Sequence, residues 1–166
     1  MLRIFPAETD QDIESVRALF IEYAEFLKKE LREYAGLAWL AQYYLDFEEE
    51  TANLLDRYSQ PKGFLLLASY EGQLAGCVAL GKLSDQTCEM KRLFVRQEYQ
   101  RKGIGTALCE ALIEYAKRIG YTHMRLATAL EPPKRLYKSL GFKQIAPFRD
   151  IPGEIKGVVY MELELI

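Results

Sequence analysis

A chain of 166 residues fits one domain around a single sizeable core, and 49% hydrophobic with 28% charged residues is the balance of an ordinary soluble globular protein. The formal net charge of −2 lacks the basic excess of proteins that wrap nucleic acid. No apolar stretch approaches the ~20 residues of a membrane-spanning helix, so neither nucleic acid nor a membrane is an expected partner.

Leu2–Pro6 reads as a first strand. Thr9 and Asp10 offer N-cap oxygens to a helix whose apolar positions Ile13, Val16, Leu19, Phe20, Tyr23 and Leu27 follow helical spacing. That helix should end before Gly36. A second helical stretch runs from about Ala38 to Tyr58, with Glu48–Glu50 as a solvated face, and Pro61 and Gly63 stop it. Tyr23, Tyr34, Trp39, Tyr43 and Tyr44 are read mostly as core, with one or two lining the acceptor pocket. The texture changes at Phe64. Phe64–Tyr70 and Leu74–Leu83 form a hairpin around Glu71-Gly72-Gln73, and Thr87–Arg96 completes a meander. Gly103–Ile119 is the clearest helix, stopped by Gly120. Met124–Thr128 is a strand, Pro133–Leu140 a short helix closed by Gly141, and Phe142–Pro147 and Val158–Leu165 the last two strands. The order implies an α/β (α+β) domain over 1–166, with a strand-helix-strand crossover and helices on both faces of a mixed sheet. Residues 1–62 form its N-terminal part and residues 63–166 its core.

Cys77, Cys88 and Cys109 are widely spaced, and His123 is the sole histidine, so no metal site is expected. An odd number of thiols and no leader-like segment point to a cytoplasmic location.

The informative stretch is the strand Cys88–Val95 followed by Gln100-Arg101-Lys102-Gly103-Ile104-Gly105-Thr106 and a strong amphipathic helix. The first turn of a helix presents free N–H groups and positive dipole, and glycines let an anion approach the backbone. Arg101 and Lys102 add positive charge. These features make a phosphate or pyrophosphate cradle. A P-loop would need G-x-x-x-x-G-K-[ST], which does not occur, and a dinucleotide fingerprint would need Gly or Ala where Leu108 stands. The pattern that fits is Q/R-x-x-G-x-G/A.

With this loop, the segment Leu136-Tyr-Lys-Ser-Leu-Gly-Phe142 and the string Glu89-Met-Lys-Arg-Leu-Phe-Val95, the sequence resembles the GNAT superfamily of N-acetyltransferases over about residues 64–165. The resemblance implies the acyl-CoA N-acyltransferase fold: a twisted, mostly antiparallel sheet of six to seven strands with about four helices. It also implies acetyl-CoA as co-substrate. The pyrophosphate then belongs on Gln100, Arg101, Lys102, Gly103, Ile104, Gly105 and Thr106, and the pantetheine beside Leu93, Phe94 and Val95. Residues 1–62 would shape the acceptor site. Many relatives carry Arg-Gly where this chain has Gln100-Arg101, and the subgroup's Leu-Asp-Thr is Leu126-Ala127-Thr128 here.

The implied reaction is attack of an amine on the thioester, with backbone N–H groups near Leu93–Val95 as oxyanion donors. The resemblance makes Tyr137 the general acid, against its reading as a core tyrosine. Glu89 is read either as the general base, directly or through water, or as an ion-pair partner of Lys91 or Arg92. Arg92 is a weaker candidate for a substrate carboxylate. The expected acceptor is a small amine or amino acid. A protein amine and a non-catalytic acyl-CoA-binding module are the alternatives. A homodimer through an exposed last strand is a further expectation.

Overall fold

The computed structural model describes residues 1–32, 46–58, 63–129, 131–149 and 158–166. The predicted helix stop at Gly36, the aromatic positions Tyr34, Trp39, Tyr43 and Tyr44, and Pro61 lie outside the described residues.

The chain runs through β1 (Leu2–Pro6), α1 (Asp10–Glu30), helical residues 46–52, α2 (Leu54–Tyr58), β2 (Phe64–Tyr70), β3 (Gln73–Lys82) and β4 (Thr87–Val95). It continues through a 3-10 turn at Gln97–Tyr99, α3 (Ile104–Ile119), β5 (His123–Thr128), α4 (Glu131–Ser139), β6 (Lys143–Ile145) and β7 (Val159–Glu164). Thr9 caps α1: its hydroxyl accepts from the Asp12 N–H at 3.0 Å, and the Asp12 carboxylate accepts from the Thr9 N–H at 3.1 Å. Gly120, at φ +109°, ends α3 as its sequence position predicts.

The seven strands form one sheet in the order β1-β2-β3-β4-β5-β7-β6. Every pairing is antiparallel except β4–β5, which the α3 crossover joins in parallel. The expected mixed sheet with helices on both faces is therefore present. The last strand differs from expectation, because β7 lies between β5 and β6. Tyr160, Met161 and Glu162 are paired on both sides, so β7 is an inner strand and not the expected sheet edge. The sheet edges are β1 and the three-residue β6.

Alternation along the strands divides the core. Leu66, Val78, Leu80 and Met90 face α3 and pack on Ile104, Leu108 and Leu112. Leu65, Leu67, Cys77 and Ala79 face α1 and pack on Val16, Leu19 and Phe20. Each large side chain buried this way contributes roughly 2 kcal/mol.

Candidate active site

Strand β4 loses its regular pairing half-way along. Its partners on β3 run Gly81↔Glu89, Leu80↔Met90 and Ala79↔Lys91, then Cys77↔Phe94 and Gly76↔Val95. Arg92 and Leu93 thus stand opposite Val78 alone, which is a β-bulge. Arg92 takes φ +60° there, in the left-handed region that residues other than glycine rarely enter. On the opposite edge, the parallel ladder to β5 ends at Glu89↔Arg125. Beyond that point the strands diverge. The resulting wedge holds a cavity of about 880 Å³. Residues 89–95 of β4 form one wall and Ala127, Thr128 and Ala129 the other.

At the wide end of the wedge lies the loop that opens α3. Arg101 has φ +64° and Gly103 φ +77°. Left-handed residues alternating along a loop turn successive N–H groups inward into an anion-binding concavity. No side chain caps the α3 N-terminus, so its first-turn amides and the positive end of its dipole stay available. A Cβ added at Gly105 would lie 3.6 Å from Leu136 and 3.9 Å from Val95, both cavity residues. The protein itself has room for that carbon, so crowding there would fall on whatever occupies the cavity. Gln100 fastens the loop to the wedge by donating to the Val95 carbonyl at 3.2 Å. The backbone thus fits a pyrophosphate ester in the loop and an extended chain in the wedge.

Gln100, Arg101, Gly103, Ile104, Gly105 and Thr106 all line the cavity, as do Leu93, Phe94, Val95, Glu89 and Tyr137. Lys102 does not share that lining; its ammonium sits 5.2 Å from the Tyr70 ring centre.

Tyr137 projects from α4 and is 7% exposed. Its ring meets Phe142 edge-on at 5.8 Å. Burial pushes its hydroxyl well above the ordinary tyrosine pKa, and the neighbouring Cys109 and Tyr23 add to the effect. Among the described residues, none hydrogen-bonds this hydroxyl. It is protonated at any ordinary pH.

Glu89 is 5% exposed, and its partner was not foreseen. Arg149, in the segment after β6, grips it with both guanidinium nitrogens: Nη1–Oε2 2.9 Å and Nη2–Oε1 2.6 Å. Arg149 is held in turn by Phe148, whose ring lies 5.1 Å from the guanidinium and meets Tyr160 of β7 edge-on. The Tyr160 hydroxyl donates to the Arg149 carbonyl at 3.3 Å.

Lys91 and Arg92 pair with Glu50 instead of Glu89. Glu50 is 1% exposed, which corrects its reading as part of a solvated face; only Glu48 and Glu49 of that run are exposed. The bulge places the Arg92 side chain against residues 46–52. There Nε lies 2.8 Å and Nη2 3.2 Å from the Glu50 carboxylate, and the guanidinium sits 4.6 Å over Phe47. The Tyr58 hydroxyl donates to the same carboxylate at 2.7 Å, and Lys91 reaches it at 3.5 Å. Burial raises the Glu50 pKa, but Arg92, Lys91 and Tyr58 together overcome this and hold it below the usual value. Burial and then Arg92 push the Lys91 ammonium down, and burial and then Glu50 push the Tyr58 hydroxyl up.

The remaining chemistry-bearing residues are structural. All three thiols are buried, and burial pushes those of Cys88 and Cys109 up to about 12. His123 Nδ1 lies 2.9 Å from the Thr122 hydroxyl and outside the cavity lining. Among the described residues, no group of His, Cys, Asp or Glu side chains is arranged to hold a metal. Among them, too, no helix is long and apolar enough to cross a membrane.

The loop motif implied an anion-binding turn at the mouth of a helix; the bulge and the split parallel pair beside it come from the structure. Residues 24–142 match the model of the acetyltransferase (GNAT) family. The chain belongs to the GNAT family. It is 34% identical over 168 residues to an uncharacterized N-acetyltransferase of Schizosaccharomyces pombe, a match covering 99% of this chain and 95% of that one. The fold is similar to that of an acetyltransferase from Streptococcus agalactiae, with TM-score 0.75 and 17% identity over 99% and 98% of the two chains. It is also similar to the PaiA N-acetyltransferase of Thermoplasma acidophilum, solved in complex with coenzyme A, with TM-score 0.72 and 21% identity over 99% of each chain. The resemblance read from Gln100–Gly105 and Leu136–Phe142 is therefore correct for family and fold.

Proposed function

We propose that this GNAT enzyme transfers the acetyl group of acetyl-CoA to the primary amine of a small molecule or amino acid. The observation that carries the reading is a single cavity containing the β4–β5 wedge, the left-handed loop at the α3 N-terminus, and the side chains of Glu89 and Tyr137. The coenzyme, when bound, supplies an activated acetyl thioester. The amides of the loop from Lys102 to Thr106 hold its diphosphate, with Gln100 and Arg101 beside them. The exposed edge of β4 at Leu93, Phe94 and Val95 holds the pantetheine, and its free backbone donors face the charge that develops on the acyl oxygen.

In the step, a C–N bond forms and the C–S bond breaks. The amine gives up one proton to Glu89, directly or through a water that Glu89 orients. The departing sulfur gains one from Tyr137. The elevated Tyr137 pKa suits this role because the hydroxyl keeps its proton until negative charge appears beside it. Glu89 can serve only when Arg149 does not occupy both of its oxygens.

The test combines calorimetric titration of CoA with free-thiol release from acetyl-CoA across a panel of amines. Binding of CoA and thiol release with at least one amine are expected. A protein without measurable CoA affinity would sink the reading. CoA binding without release for any amine would instead indicate a non-catalytic acyl-CoA-binding module.

A further inference from the structure

We propose that the Glu89–Arg149 pair recognises a zwitterionic acceptor, an α-amino acid whose ammonium goes to Glu89 and whose carboxylate goes to Arg149. The inference rests on the acetyl-transfer reading and narrows its acceptor.

The two side chains line the cavity as partners of opposite charge in bidentate contact. They differ in freedom. Glu89 belongs to a central strand and its side chain is 6% exposed, whereas the Arg149 side chain is 39% exposed. The guanidinium therefore has room to turn while the carboxylate stays fixed. An α-amino acid carries its cation and anion on one carbon, the spacing needed to enter between two such groups. Its entry exchanges one ion pair for two and leaves the total charge unchanged. A plain amine would separate Arg149 from its carboxylate and return no anion to it, leaving a partly buried cation uncompensated.

The charges around the pair point the same way. Outside the loop, the described charged residues lining the cavity are Lys91, Arg92 and Arg149 against Glu30 and Glu89, and Glu50, beyond the lining, pairs with Lys91 and Arg92. With Glu50 counted, the charges of these described residues balance, which suits a neutral zwitterion better than a polyamine or a dicarboxylic acid. Lys91 and Arg92 do not compete for the acceptor carboxylate, because Glu50 already engages both. The exchange also frees the Glu89 oxygens at the moment an ammonium arrives. An acceptor with the right charges thus uncovers the base: Glu89 takes one ammonium proton and passes it to solvent, the neutral amine attacks, and the nitrogen's second proton then goes to Glu89.

The experiment uses the full chain with CoA bound. The common L-amino acids and their α-amides are compared by calorimetric affinity, and with acetyl-CoA by kcat/KM. The best amino acid is expected to exceed its own amide by at least about tenfold in both, the value of one charged hydrogen-bonded contact. Arg149→Gln should bring this ratio close to one, and Arg149→Lys should keep part of it. Equal affinity for acid and amide in the unaltered protein overturns the proposal even if every variant fails to fold. Equal loss of both ligand classes in Arg149→Gln also overturns it, since Arg149 would then act only by holding Glu89. Carboxylate- and Arg149-dependent binding without thiol release sustains the proposal while refuting acetyl transfer.

Discussion

The two faces of the sheet are built on opposite principles. The face against α3 is apolar throughout, with Leu66, Leu80, Met90, Leu108 and Met124 in contact and Cys88 and Cys109 sealed among them. The face against α1 begins in the same way around Leu19 and Phe20. Toward the cavity it changes to a buried ionic cluster of Glu50, Lys91, Arg92 and Tyr58. The first face fixes the loop and the wedge by packing, which tolerates change in small steps. The second fixes a bulge by charge, which fails abruptly if one partner is lost.

Glu50→Gln tests that contrast most severely. It leaves Arg92 and Lys91 without their shared anion, so chemical denaturation should show a loss of about 3–5 kcal/mol. Unchanged stability would mean that the cluster contributes little. The same carboxylate sets an acid dependence. Its folded-state pKa lies below the usual 4.5, so the stabilisation is full above that value and is lost as pH falls through the lower, folded-state value. Denaturation midpoints should decline below about pH 4.5, and less steeply in Glu50→Gln.

Tyr137→Phe keeps the packing on the apolar face and removes only the proton donor. A fall in kcat of about 100-fold with intact CoA affinity is expected from stopped-flow or steady-state assay. A variant as fast as the parent would leave Tyr137 as a core tyrosine. Gly103→Val forces a branched side chain to φ +77° where no protein atom lies within 4 Å of the new carbon. The penalty should therefore appear as backbone strain and weaker CoA binding, about 2 kcal/mol in total by calorimetry and denaturation. Arg101→Gly relieves the strain at φ +64° while removing one cation, so stability should shift by less than about 1 kcal/mol and CoA binding should weaken slightly.

The order of elements was legible because each keeps one pattern for long enough. The short continuous apolar run of Phe64–Tyr70, bounded by turn residues, and the single apolar stripe of Ile104–Ile119 leave little choice. The loop was legible because its glycines sit where a strand meets a helix. Features that depend on distant partners were hidden. Nothing near Arg149 in sequence announces Glu89, which is 60 residues away. Glu50 shares a run with Glu48 and Glu49, and only its position on the buried side of the helical turn separates it from them. The bulge was hidden because Lys91-Arg92-Leu93-Phe94 reads as an unbroken strand.

That extra β4 residue also governs how the gene can vary. Lys91 and Phe94 are three positions apart and would face opposite ways on a regular strand, yet both point toward α1 because they stand opposite Ala79 and Cys77. Deleting one codon between them would restore ideal pleating with Phe94 still opposite Cys77 and facing α1, and would remove the left-handed turn that sends Arg92 to Glu50. What the extra residue supplies is therefore the irregularity itself and the wedge beside it, while the side chains beyond it keep their faces with or without it.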